Sequence, residues 1–221
     1  SKRYLRKLGA QNIKFFGNIK FSQSESVSPT LDKNLKNFIK SKNSWCASST
    51  HYNEEKICGQ THLHLNEKYK NLLTIIIPRH INRVDTIKKE LENLKLKVHV
   101  DEPKRKISSK TDVYLVNSYG KTKLFYKECN NVFLGGSMIN RGGQNPLEAV
   151  RYGCNIFHGP NVSNFKEIYW FLKNKNLSKK LNNYKNLANL LDLTFKNKTQ
   201  PKKIKKNLYL IGKNILNKTY K

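Results

Sequence analysis

The residues with most chemical potential lie in one glycine-rich stretch. It runs from Asn131 through Val132-Phe133-Leu134 into Gly135-Gly136-Ser137, then to Gly142-Gly143-Gln144 and Asn145-Pro146-Leu147-Glu148. An apolar run ending in glycines reads as a strand entering a turn. Glycine admits close approach of a ligand to the backbone because no Cβ intervenes. Asn145 is a good helix cap and Pro146 suits a first helical turn. The unpaired N–H groups and dipole of such a helix start favour a phosphate. Glu148, one turn in, is placed to accept sugar hydroxyls. A tight strand-to-helix turn with no ligand would carry the same glycine pairs, so the stretch alone leaves both readings open.

Other polar clusters recur at the ends of apolar runs: Ser49-Thr50-His51, Pro78-Arg79-His80 and Asn117-Ser118-Tyr119-Gly120-Lys121. The elements that would position them alternate. Strands are expected at Asn12–Phe16, Ser44–Ser48, Leu72–Ile77, Lys97–Val100, Asp112–Val116, Asn131–Leu134 and Asn155–Phe157. The Leu72–Ile77 run is continuously apolar, as in a strand buried on both faces of a parallel sheet. Helical spacing appears at Leu31, Leu35, Phe38 and Ile39, from about Asn53, at Val84, Ile87, Leu91 and Leu94, and through Leu124 and Phe125. Glu54 and Glu55 read as first-turn acids favoured by the helix dipole, and His62 and His64 as helix-end residues. The alternation predicts an α/β, Rossmann-like doubly wound parallel sheet. Ligands of such sheets lie beyond the carboxyl ends of the strands, where all these clusters fall. Residues 1–175 are read as this domain. Residues 176–221 are read as two basic amphipathic helices, one marked by Leu177, Leu181, Tyr184, Ala188 and Leu191, the other following Pro201.

The chain has 221 residues and a net charge of +28. Mean hydropathy is -0.71, and no run approaches the ~18 apolar residues of a membrane span. The basic residues are dispersed, without an arginine-rich arm or the motif of a known nucleic-acid module. An anionic membrane surface is therefore preferred to nucleic acid as a partner, and a skewed composition would give the same charge. The four cysteines, Cys46, Cys58, Cys129 and Cys154, have no metal or disulfide spacing and read as free thiols. Asp101, Glu102 and Glu128 read as solvated acids. No metal or other cofactor is expected.

Taken in order, these pieces resemble the C-terminal half of the bacterial Kdo transferases, which move 3-deoxy-D-manno-octulosonic acid (Kdo) from CMP-Kdo to a lipid A precursor. The likeness runs from about Leu8 to Phe171. It rests on Gly17-Asn18-Ile19-Lys20-Phe21, Ala47-Ser48-Ser49-Thr50-His51 with Glu54-Glu55, and Pro78-Arg79-His80 with Arg83. It continues through Thr111-Asp112-Val113, Gly135-Gly136-Ser137, Gly142 to Glu148, and Gly159-Pro160 with Asn164-Phe165. The resemblance implies a GT-B glycosyltransferase and makes this chain its donor-binding half. CMP would contact Pro78, Arg79, Asn145, Pro146, Leu147 and Glu148, and the segment Tyr119-Gly120-Lys121. In the last, only the glycine of the family's Met-Gly-Glu is kept. Ser49, Thr50, His51, His80, Gly135, Gly136, Ser137 and Gln144 would line the cleft, Gln144 replacing the family's His. Departing CMP would be stabilised by Arg79, the Gly135–Ser137 backbone and the Asn145 helix start. The resemblance places the catalytic base and membrane anchor in an N-terminal domain, so no catalytic residue is assigned in this chain. It implies work at the cytoplasmic face of the inner membrane. The donor half of another GT-B transferase or epimerase, and a basic RNA-binding α/β domain, are the alternatives.

Overall fold

The computed structural model describes residues 2–14, 30–102, 106–197 and 201–220. Its centre is a seven-stranded, wholly parallel sheet ordered β3-β4-β2-β1-β5-β6-β7. The strands are β1 (Asn43–Thr50), β2 (Leu72–Pro78), β3 (Val98–Val100), β4 (Val113–Leu115), β5 (Asn131–Leu134), β6 (Asn155–His158) and β7 (Ser178–Lys180). The helices are α1 (Lys2–Lys7), α2 (Lys33–Lys40), α3 (Glu54–Asn66), α4 (Val84–Asn93), α5 (Thr122–Glu128), α6 (Leu147–Arg151), α7 (Lys166–Asn174), α8 (Tyr184–Lys196) and α9 (Pro201–Thr219).

Two cores follow from the strands' alternation of faces. In β1, Trp45 and Ala47 join one core while Cys46 joins the other. The first core is closed by Cys58 and Leu65 of α3, Val84, Ile87 and Leu91 of α4, and Leu187 and Leu191 of α8. The second takes Ile39 from α2, Phe125 from α5, Leu147 and Val150 from α6, Ile168 and Leu172 from α7, and Ile204 and Leu208 from α9. Every residue of β2 is buried, which is why its sequence carries no polar alternation. The two C-terminal helices thus cover the sheet on opposite sides.

The sequence and structure differ at several elements. Residues 178–180 are an edge strand paired with β6, not the start of a helix. Leu177 and Leu181 are buried at its two ends, which imitates helical spacing, and the helix begins at Tyr184. Asn12–Lys14 form no strand, and the rest of that expected strand, with Gly17–Phe21, lies outside the described residues. His62 does lie in the last turns of α3, where it is fully buried, with Nδ1 2.9 Å from the Thr74 hydroxyl. Asp101 accepts hydrogen bonds from Tyr114 and Lys121, and Glu128 is paired with Lys36 at 3.0 Å, so neither is a free surface acid. All four cysteines are free and buried.

Sheet order reverses between β1 and β5. From β1 the chain moves outward to β2 and on to the edge strand β3, then back to β4, which lies between them. It then returns to lay β5, β6 and β7 on the other side. The helices leaving β1 and β5 cover opposite faces, the arrangement at which sheets of this kind open a crevice beyond the carboxyl ends of two strands.

Candidate functional site

The crevice is built by two loops drawn tightly together. β1 ends in a bulge, where Ser49 takes a left-handed backbone with φ 56°. Gly135 at the end of β5 packs into that bulge. A Cβ there would lie 2.3 Å from the Ser49 carbonyl oxygen and 2.6 Å from Thr50 Cα. Glycine is required by this approach, not by its own φ.

Glu54 closes the junction. Its carboxylate is fully buried and accepts N–H bonds from His51 (3.0 Å), Gly136 (2.7 Å), Ser137 (3.0 Å) and Met138 (2.9 Å). The Glu54 N–H in turn donates to the His51 carbonyl at 2.9 Å, a reciprocal arrangement that also caps α3. Burial pushes the Glu54 pKa up, and the four N–H donors oppose that rise. The reading of Gly135–Ser137 as a backbone cradle for departing phosphate is therefore corrected, because the N–H groups of Gly136 and Ser137 already serve Glu54. The Ser137 hydroxyl is also committed, donating to the Leu134 carbonyl and accepting from the Gly159 N–H.

Glu55, beside it, is equally buried and forms a two-pronged pair with Arg83, at 3.1 and 3.2 Å. Burial raises its pKa and Arg83 opposes the rise. Arg83 also lies 5.7 Å from the centre of the Tyr52 ring. Arg83 is thus a structural cation. Arg79 differs: its backbone N–H donates to the Thr50 carbonyl, tying β2 to β1, while the residue is exposed.

Above this floor, His51, His80 and Gln144 converge. The two imidazoles stand edge to face with centroids 5.6 Å apart. A Cβ on Gly136 would lie 3.4 Å from both His51 Nε2 and Gln144 Nε2. Burial, then His80 and the guanidiniums of Arg141, Arg79 and Arg83, hold the His51 pKa below 6.5, so His51 is neutral at pH 7. Its Nε2 is buried without a hydrogen-bond partner among the described residues. Arg141 sits in a pinned loop: Gly143 N–H donates to the Gly136 carbonyl at 2.9 Å, and the Asn164 side chain donates to the Arg141 carbonyl at 3.2 Å. The crevice therefore combines arginine charge with neutral hydrogen-bonding side chains, a combination suited to an anionic ligand that also carries hydroxyls.

Of the residues expected at the site, Ser49, Thr50, His51, Arg79, His80, Gly135, Gly136, Ser137 and Gln144 meet at this junction. The Asn145–Glu148 turn adjoins it through Gln144, whose carbonyl accepts from the Tyr169 hydroxyl at 2.9 Å. Asn145 does cap the turn, its side chain accepting the Leu147 N–H at 3.1 Å. Pro146 precedes the helix rather than opening it, and α6 is only 5 residues long, so its dipole is small. Glu148 is partly exposed and 3.5 Å from Lys123 Nζ. Tyr119-Gly120-Lys121 stands apart, two strands from β1. Lys121 bonds Asp101 at 2.7 Å, which turns it toward β3 and away from the crevice. Arg141 and the role of Glu54 were not legible in sequence. An arginine beside Gly142-Gly143 was the available signal for the first. Glu54 stood out only as part of the segment after Ser49-Thr50-His51, and its role did not, since its loop partners lie 82 to 84 residues away.

No protein-family model matches the chain. Curated proteins do. It is 29% identical over 164 residues to the 3-deoxy-D-manno-octulosonic acid transferase of Haemophilus influenzae, covering 73% of this chain and 38% of that protein. It is 30% identical over 200 residues to the enzyme of the same description from Rickettsia prowazekii, covering 86% and 42%. Among solved structures, the C-terminal CMP-Kdo binding domain of WaaA from Acinetobacter baumannii superposes with a TM-score of 0.69 at 25% identity, over 81% of this chain and 91% of that one. The chain is similar to the C-terminal part of the Kdo transferases. The resemblance read from the motifs thus holds in sequence and in fold, and the fold is that of a GT-B C-terminal domain. The chain spans about two fifths of the length of these curated relatives.

Proposed function

We propose that this chain is the donor-binding domain of a Kdo-transferring glycosyltransferase and that it holds CMP-Kdo in the crevice between β1 and β5. One observation carries the reading: the domain it matches over nearly its full length binds CMP-Kdo. Arg79 and Arg141 supply the positive charge at the crevice. In the proposed transfer, an acceptor hydroxyl attacks the anomeric carbon and CMP departs as a phosphate monoester that gains negative charge. Arginines fixed before the reaction stabilise that charge without reorganising. His51, neutral, donates a hydrogen bond without adding charge, and Glu148 accepts the ribose hydroxyls. The acceptor, a lipid A precursor, and the base that deprotonates it belong to the remainder of the enzyme, preceding this domain. No metal or cofactor takes part in the proposal.

Among the described residues, no helix is long and apolar enough to cross a membrane. The proposed membrane contact is peripheral and electrostatic, at the cytoplasmic face of the inner membrane, through the net charge of +28. Binding to anionic but not neutral vesicles, weakening with salt, is the expected result.

Calorimetric titration tests the function. CMP should bind more tightly than UMP or UDP. A preference for UDP would point to another GT-B nucleotide-sugar enzyme. Salt-sensitive RNA binding without CMP binding would point to a nucleic-acid module.

A further inference from the structure

We propose that Glu54 makes the crevice selective for a nucleoside monophosphate over a diphosphate, by filling with its own carboxylate the place where a second phosphate would be held. The inference rests on the CMP reading above and extends it to the residue that sets the phosphate count.

Rossmann-like crevices hold a pyrophosphate at the switch point. Unpaired N–H groups of the first strand-to-helix turn donate to it, and the helix start adds favourable dipole. In this chain that turn joins β1 to α3, and its His51 and Glu54 N–H groups are already paired. The His51 N–H points to Glu54, as do the Gly136, Ser137 and Met138 N–H groups from the facing loop. The first turn of α3 also holds a second buried carboxylate, Glu55. Arg83 balances Glu55, and among the described residues the bonds to Glu54 come from backbone donors. A phosphate entering here meets a fixed negative charge and finds these N–H groups taken. A single phosphate has Arg79 and Arg141 available at the rim and does not need this position. Glu54 thus mimics an anion that a diphosphate-binding crevice would take from its ligand.

CMP and CDP share base and ribose, so their ratio isolates the second phosphate. Calorimetric titration of the wild-type chain should show CMP at least tenfold tighter than CDP. Glu54→Gln keeps the size and removes the charge, and should narrow the ratio at least fivefold, chiefly by strengthening CDP. Glu54→Asp keeps the charge and should retain most of the discrimination. Equal or tighter binding of CDP by the wild type overturns the inference, whether or not either variant folds. A folded Glu54→Gln chain with an unmoved ratio also overturns it, leaving Glu54 as a structural pin only. Failure of the wild type to bind CMP at all is a different result, because it removes the CMP reading on which the inference stands.

Discussion

The Gly135→Ala substitution tests the geometry that builds the crevice. An alanine Cβ would sit 2.3 Å from the Ser49 carbonyl oxygen, 2.6 Å from Thr50 Cα and 2.8 Å from Glu54 Oε2. Two of these neighbours are backbone and cannot rotate away. Relief requires β5 to part from β1. That strains the Gly135 N–H bond to the Ser48 carbonyl (2.9 Å) and the Glu54 bonds to Gly136 (2.7 Å) and Ser137 (3.0 Å). Hydrogen bonds to a charged group contribute about 1.5–3 kcal/mol each. Weakening two of them by half, with some overpacking strain, gives a loss of about 3 kcal/mol. For a domain of this size, that lowers Tm by roughly 6–12 °C. Gly120→Ala is the control. Gly120 has φ +81° with no atom within 4 Å of an added Cβ, so it meets only left-handed strain of about 1–2 kcal/mol. Thermal melts followed by circular dichroism, with urea midpoints alongside, compare the two. If Gly135→Ala melts as high as Gly120→Ala, the tight β1–β5 junction is not as described.

Glu148→Gln should weaken CMP binding about tenfold by calorimetry while lowering stability little, because the partly exposed pair with Lys123 contributes about 1 kcal/mol or less. Unchanged CMP affinity would confine Glu148 to structure. The two arginines should separate. Arg83→Ala leaves Glu55 buried and unpaired and should cost about 3–5 kcal/mol in urea unfolding. Arg141→Ala should leave stability nearly unchanged and reduce CMP affinity, and the reverse pattern would refute their assignment. Burial holds the His158 pKa below the usual 6.5. Below pH 6.5 the unfolded chain therefore takes up a proton that the folded chain does not, and this residue's contribution is lost as pH falls. His158→Phe, which keeps a ring against Tyr169, should reduce the fall in Tm between pH 7 and pH 5. An equal fall in both proteins would show that His158 does not govern it.

The order of strands and helices was largely legible because it depends on local pattern. The continuous apolar run of β2, the spacing of Val84, Ile87 and Leu91, and the glycines and prolines between elements each act within a few residues. The positions of the polar clusters at strand carboxyl ends followed from the same reading. What failed had a local double meaning. Leu177 and Leu181 are four residues apart and imitate a helix, yet their burial comes from flanking an edge strand beside β6.

By itself, the sequence determined the α/β class, the parallel sheet and the polar segments at the strand carboxyl ends. Hydrophobic periodicity and turn chemistry are short-range properties. Only the tertiary structure decided what those segments do. Gly135 and Gly136 look like a phosphate cradle in sequence, but sheet order sets β5 beside β1 and delivers Glu54 to the loop's N–H groups. Lys121 looks like a ligand contact, but Asp101, 20 residues earlier, holds it on the β3 side. Arg79, Arg83 and Arg141 are alike as residue types, and packing separates them, since Arg83 alone of the three pairs with the buried Glu55. Each decision rests on a partner distant in the chain, and a buried charge or N–H group must be paired wherever folding brings it.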